Sequence, residues 1–170
     1  MGYQLIETIE VGSGGAASIE FLALPQDAVD LVITSSARAT NTQNSWRLQF
    51  NGDTGANYSQ RLLHGTGSSV SSTTISGSTY ISTQLLTPST YTANTFSNIN
   101  VYVPNYTSSS AKSLSIDGVQ ENNATAANQQ IFAGQWSGTA AITSLTVLTS
   151  GGAYLFAEHS SFSIYKITAD

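Results

Sequence analysis

The stretch Trp46-Arg47-Leu48-Gln49-Phe50-Asn51-Gly52-Asp53-Thr54-Gly55 decides the fold class. Trp46, Leu48 and Phe50 fall on one parity with polar residues between them, the period of a strand with one buried face. The run then stops in residues that tolerate left-handed backbone, the chemistry of a tight turn. The same grammar recurs along the chain. Tyr3, Leu5, Ile9 and Val11 share one parity, broken only by Glu7, and Gly12-Ser13-Gly14-Gly15 follows them. Ser18–Leu24 then alternates again through Ile19, Phe21 and Ala23, so an opening hairpin is expected.

Further strands are expected over Val29–Ala37, Thr95–Val103, Lys112–Val119, Gln130–Trp136, Ile142–Leu148, Ala153–Phe156 and Phe162–Ile167, with Tyr58 and Leu62 marking another. The polar stretches Gly65–Ser72 and Thr73–Thr79 suit exposed strands or long loops. Glu121–Gln129 suits a loop with one helical turn, and Asp117-Gly118 a turn or bulge. Nowhere does a helical period of normal length occur. About ten strands at intervals of roughly ten residues predict an all-β fold: a single antiparallel β-sandwich, jelly-roll-like, spanning residues 1–170.

Composition narrows the function classes. Only 9% of the 170 residues are charged, against roughly 25% in ordinary soluble domains, so hydroxyls and amides must keep the surface wet. The net charge of -5 comes from scattered residues with no Lys or Arg run, which excludes a nucleic-acid partner from the expectation. Cysteine is absent, so neither a disulfide framework nor a thiolate metal site can form. The N-terminal residues carry no basic leader and no long apolar stretch, and Ile6 stands where a myristoylation signal wants Ser or Thr. Synthesis in the cytoplasm without membrane insertion is therefore expected.

Each chemical candidate has a structural alternative. His64 and His159 are the only histidines able to serve as the base of a nucleophilic triad, and no Gly-x-Ser-x-Gly elbow accompanies them. His159, flanked by Glu158 and Ser160, suits a buried histidine-carboxylate pair or an oligomer axis, or an ordinary loop position. Asp117 and Glu121 are the nearest approach to a glycosidase pair, yet hydrogen-bonded turn residues explain them better. Asn51, Asp53 and Asn57 offer oxygens to Ca²⁺, but one carboxylate is thin charge for such a site, and turn geometry is the simpler account. Gly12, Gly14 and Ala17 match a loose dinucleotide pattern that needs a helix after it, where a strand is expected. The sequons at Asn57, Asn105 and Asn123 arise readily in so Asn-, Ser- and Thr-rich a chain. Trp46 and Trp136, with Tyr58, Tyr91 or Tyr106, would stack on sugar rings if they clustered outside the core, but alternation places both tryptophans inside. No catalytic, cofactor-binding or metal-binding residue is assigned.

Four segments together carry a resemblance: Val11-Gly12-Ser13-Gly14-Gly15-Ala16-Ala17-Ser18-Ile19-Glu20-Phe21, Phe50–Ser59, Val101-Tyr102-Val103-Pro104-Asn105-Tyr106, and Ser161-Phe162-Ser163-Ile164-Tyr165-Lys166-Ile167. Lys112-Ser113-Leu114-Ser115 followed by Glu121-Asn122-Asn123 fits the same pattern. The chain thereby resembles a family of tailed-phage virion structural proteins, common in phages of aquatic bacteria. The resemblance implies a non-enzymatic β-sandwich displayed on the particle, without cofactor. The expected role is a capsid decoration or cement protein, a homotrimer bound to the major capsid protein or another virion protein. The alternative is a tail-fibre or receptor-binding component that recognises host glycans. A short chain whose first strand starts at Tyr3 favours decoration over a fibre shaft.

Overall fold

Alternating polarity becomes two sheets. The computed structural model describes residues 2–124, 127–150 and 154–168, and among them every regular element is a strand. In chain order they are β1 (Gly2–Glu10), β2 (Ser18–Phe21), β3 (Asp30–Ala37), β4 (Trp46–Phe50), β5 (Tyr58–Gly65), β6 (Val70–Ser78), β7 (Ile81–Thr83), β8 (Ser97–Val103), β9 (Lys112–Gln120), β10 (Asn128–Trp136), β11 (Leu145–Thr149) and β12 (Ser161–Thr168). An eight-stranded sheet runs β1-β12-β3-β8-β9-β10-β5-β6 and a four-stranded sheet runs β2-β11-β4-β7. All their pairings are antiparallel.

The chain is thus an all-β antiparallel sandwich that repeatedly crosses from one layer to the other, the jelly-roll-like trait, with layers of unequal size. β9 and β10 show why the sheets meet: their side chains alternate strictly between buried and exposed. Leu114, Ile116 and Phe132 on the large sheet belong to the same buried core as Leu48, Phe50, Leu145 and Val147 on the small one. Complete burial of one such side chain is worth roughly 1.5–3 kcal/mol, so this shared face is what holds the layers together.

The opening hairpin does not form. β1 pairs with β12 and β2 with β11, in different sheets. Four-residue β2 offers a short ladder, whereas β12 matches β1 from Gly2 to Glu10. The glycines serve the crossing instead. Gly15 has φ +78°, and a Cβ there would sit 2.7 Å from the Phe156 carbonyl oxygen, so only glycine lets the chain pass that backbone. A strand, not a helix, follows this glycine run, so the Gly12-Gly14-Ala17 pattern lacks the helix N-terminus a pyrophosphate requires.

Other expectations also change. The parity of β1 is broken by a bulge between Leu5 and Glu7, which leaves Tyr3 and Leu5 exposed while Ile6 and Ile9 pack on the core. β2 ends at Phe21 because Ala23 turns to φ +52° and leaves the Ile19/Phe21 face. Asp117 and Gly118 lie inside regular β9 rather than in a turn, and Gly118 makes room for Leu85, whose Cδ1 would lie 2.6 Å from an added Cβ. Ala153 lies outside the described residues, and Phe156 joins Ala16 and Ala39 only by isolated bridges, not as a strand. No helical turn occurs over the described part of Glu121–Gln129, where β10 already begins at Asn128. The two polar stretches after Gly65 become one strand, β6, exposed on both faces.

Three glutamines stitch the layers across the core. Gln60 in β5 pairs through its amide with both backbone groups of Ser82, each at 2.8 Å. Gln130 in β10 accepts from the Gln84 amide at 3.2 Å, and Gln120 in β9 donates to the Leu86 carbonyl at 2.9 Å. Ser82, Gln84 and Leu86 alternate, so the segment that begins with β7 crosses three neighbouring strands diagonally and receives a side-chain amide at each. No strand ladder joins this segment to β5, β10 or β9, and these side-chain bonds satisfy its backbone groups instead. All three glutamines are at most 2% exposed.

Candidate functional site

The broad outer face of the eight-stranded sheet is the candidate site. Register alone defines its rows. Thr8, Ser163, Thr34, Asn100, Asp117, Ile131, Leu63 and Ser72 stand directly opposite one another, one from each strand. The first half of this row is hydroxyl and amide, tied by a 2.8 Å bond between the Thr8 and Ser163 hydroxyls and by Asn100 donating to Asp117 at 3.3 Å. Here Thr34, Ser36, Asn98, Asn100, Ser161 and Ser163 line a shallow polar depression of about 290 Å³. The second half carries an apolar pair between Asp117 and Ser72: Leu63 and Ile131 are both more than half exposed and line depressions of about 390 and 250 Å³.

An adjacent row joins Leu5, Tyr165, Val32 and Tyr102 across β1, β12, β3 and β8. Tyr102 donates its hydroxyl to Asp30 Oδ2 at 2.7 Å, and that carboxylate pushes the phenol pKa upward, so the ring is held in place as a neutral phenol. Asp30 Oδ1 in turn accepts from the Asn105 amide at 2.9 Å. Tyr3 stands nearby at 70% exposure. The face therefore presents aromatic, hydroxyl-amide and aliphatic zones in sequence, with few charges. Such a surface loses little on desolvation, because it carries few ionised groups that would have to leave water.

None of the sequence-derived catalytic sets assembles. His64 Nε2 lies 2.7 Å from Asn128 Oδ1, and Asn128 Nδ2 donates a hydrogen bond to Gln120 Oε1 at 2.7 Å. With Oδ1 as acceptor, Nε2 is the donor, so this nitrogen is engaged by the Asn128 amide and not by a serine hydroxyl. His159 meets Glu10 at 3.3 Å, not Glu158, and the pair is solvent-exposed rather than buried. Ser160 is fully buried and bonds Arg38 through its hydroxyl. Asp117 lies in β9 facing Asn100, whereas Glu121 accepts from the Asn123 amide beyond the strand end.

The Asn51, Asp53 and Asn57 oxygens are spent on structure. Asn51 Oδ1 accepts from the backbone of Thr143 and Ser144, and its Nδ2 donates to Ala141. Asp53 accepts from the Trp136 indole N–H at 2.7 Å, from the Asn57 amide at 2.9 Å and from the Gly55 backbone at 2.8 Å. Three donors converging on one carboxylate make it a turn lock, and a cation would face their hydrogens. Chiefly the Trp136 bond, then Asn57 and Gly55, holds the Asp53 pKa below the ordinary 3.8. Behind it Tyr58 donates to the Asp53 carbonyl at 3.1 Å and accepts from the Phe50 amide at 3.0 Å, and burial lifts its phenol to about 12.

A pH profile should report this lock from both sides. The part of stability that Asp53 supplies is complete above its unfolded pKa and is lost as pH falls through the lower folded value. Tyr58 contributes below pH 10 and loses its contribution as pH rises toward about 12. Asp53→Asn should flatten the acid limb of a denaturation-against-pH curve, and Tyr58→Phe the alkaline limb. Urea midpoints measured across pH check both, and unchanged limbs would refute the assignment.

The aromatic candidates divide cleanly. Trp46, Trp136, Tyr58 and Tyr106 are core residues at 3% exposure or less, and Tyr91 is half-buried with its carbonyl held by Arg38. The exposed aromatics are Tyr3 and Tyr102, which sequence reading did not select. A signal existed for Tyr102, which lies between Val101 and Val103 and so takes the outer parity.

No protein-family model and no curated protein matches the chain. Among solved structures, the crystal structure of a protein of unknown function from Shewanella oneidensis MR-1 aligns with 99% of this chain and 77% of its own. It does so at 11% identity and a TM-score of 0.23, a likeness too slight to carry an argument.

Proposed function

We propose that the protein is a non-enzymatic structural component of a tailed-phage virion, most simply a capsid decoration protein that self-associates and cements the outer capsid. The observation that supports this reading is the charge-poor outer face running across all eight strands, a wide surface suited to burial against protein. The resemblance of the chain to phage virion proteins points the same way. A ligand that binds only the assembled shell stabilises it by mass action, which is how a cement protein would act.

One observation favours a second reading. The exposed Tyr102, fixed by Asp30, with Tyr3 nearby and Tyr165 beyond Val32 in the same row, offers aromatic faces beside hydrogen-bonding groups, the chemistry of sugar recognition in a receptor-binding protein. Cryo-electron microscopy of purified particles separates the two. Decoration requires density for this sandwich on the outer capsid, and tail density would move the role to receptor binding. Virions that lack the protein would end both readings. For the second reading, Tyr102→Ala must abolish binding on a glycan array.

A further inference from the structure

We infer that β6 is a self-pairing edge, and that two copies of the chain join antiparallel through Val70–Ser78 about a two-fold axis perpendicular to the large sheet. The inference rests on the self-association in the reading above and not on its virion location.

β6 pairs with β5 alone, so one side of its backbone has no partner strand among the described residues. Both of its faces are in solvent, with Val70 at 79% exposure. A strand held by a single ladder with neither face packed is marginal in water, and a second ladder is what would stabilise it. Exposed edges are ordinarily guarded by charge, proline or a bulge. From Val70 to Ile75 this edge has none of them, and its bulge falls beyond, near Gly77. The opposite edge contrasts at each point: β1 carries Glu7 and Glu10 and has a bulge in mid-strand.

This contrast selects the partner. An uncharged edge of Ser and Thr can face its own copy without like-charge repulsion, and hydroxyl pairs across a ladder are favourable. Pairing β6 with a neighbour's β1 would instead set it against the guarded edge in a head-to-tail contact that closes only as a ring. A two-fold pair is isologous and complete. Side chains of equal parity must meet, so the axis falls on Ser72, Thr73 or Thr74. Five to nine paired residues, according to the axis, give about 17–30 Å of edge, too short a ladder to bury the ~800 Å² per partner of a standard interface, so the pair forms with rising concentration.

The absence of cysteine makes the test direct, because a single introduced thiol can bridge only to its own copy. Residues opposed on a two-fold axis lie ~4.5–5.5 Å apart at Cα, within the reach of a disulfide. Ser72→Cys, Thr73→Cys and Thr74→Cys are oxidised separately in the full chain, beside Ser115→Cys in mid-sheet and Thr8→Cys on β1. At least one β6 variant should cross-link ten-fold more than either control. Sedimentation of the unmodified chain should rise from 17.8 kDa toward twice that mass with concentration, and Thr73→Lys should hold it at one chain with unchanged circular dichroism. Cross-linking of β6 variants no greater than the controls overturns the seam. So does preferential bridging between Thr73→Cys and Thr8→Cys chains, which would establish head-to-tail pairing. No particle enters these measurements, so a dimer that fails to bind capsids would count against the virion reading and leave the seam intact.

Discussion

Gln60→Leu should lower the free energy of unfolding by about 2–5 kcal/mol, although it replaces a polar side chain in the core with an apolar one of similar size. The wild-type amide satisfies both the Ser82 N–H and the Ser82 carbonyl at 2.8 Å. Leucine supplies neither bond, and each backbone group stranded away from water costs ~1–3 kcal/mol. The gain from added apolar surface is about 1 kcal/mol at most for the few atoms changed, so the loss wins. Gln49 is the control, since its amide bonds the Thr79 carbonyl at an exposed site. Gln49→Leu should stay within ±0.5 kcal/mol. Urea denaturation of the two variants decides it, and equal midpoints would mean that the glutamine stitch is ornamental.

The stitch also marks the limit of what the chain declares of its own fold. Strand identity was legible wherever a strand buries one face against apolar neighbours, as in Leu114 and Ile116 or Trp46, Leu48 and Phe50. Gln60, Gln120 and Gln130 sit on that same inner parity, but a hydrophobic pattern registers them as interruptions. Their partner is the backbone of a distant segment, and no periodicity encodes a backbone partner. The opening hairpin failed for a related reason. Gly12–Gly15 announces a change of direction, yet turn chemistry is the same whether the chain returns beside itself or passes to the other layer. The candidate site was legible only by subtraction: parity set the hydroxyls and Tyr102 outward, while the rows across eight strands depend on strand order, which is a long-range property. The Asp53 lock was legible as a turn, but its strongest donor, Trp136, lies on β10 and could be found only in the folded chain.

Lys112→Ala should also be damaging, at about 1.5–3 kcal/mol, and for a reason that composition conceals. In a chain with so few charges this lysine is 1% exposed at the start of β9. Burial disfavours its ammonium and lowers its pKa, and the fold compensates with carbonyls. Nζ donates to Ser108 at 2.8 Å, to Ala140 at 3.0 Å and to Ser110, and it lies 5.8 Å from the centre of the Trp136 ring. One cation thus ties the β8–β9 connection to the β10–β11 connection, and its removal releases all three carbonyls, of which those of Ser110 and Ala140 belong to exposed residues that water can reach. Lys112→Met keeps the aliphatic stem and should lose less than alanine while still losing the carbonyl ties. Lys112→Arg should not rescue, because a planar fork cannot converge on carbonyls arranged around a single point. Amide exchange should distinguish this from general destabilisation: the Ser108 and Ile142 amides, which close these two connections on Asn105 and Tyr106, should lose protection before the β9–β10 ladder does. Uniform loss across the sheet would instead make Lys112 a packing residue whose charge is incidental.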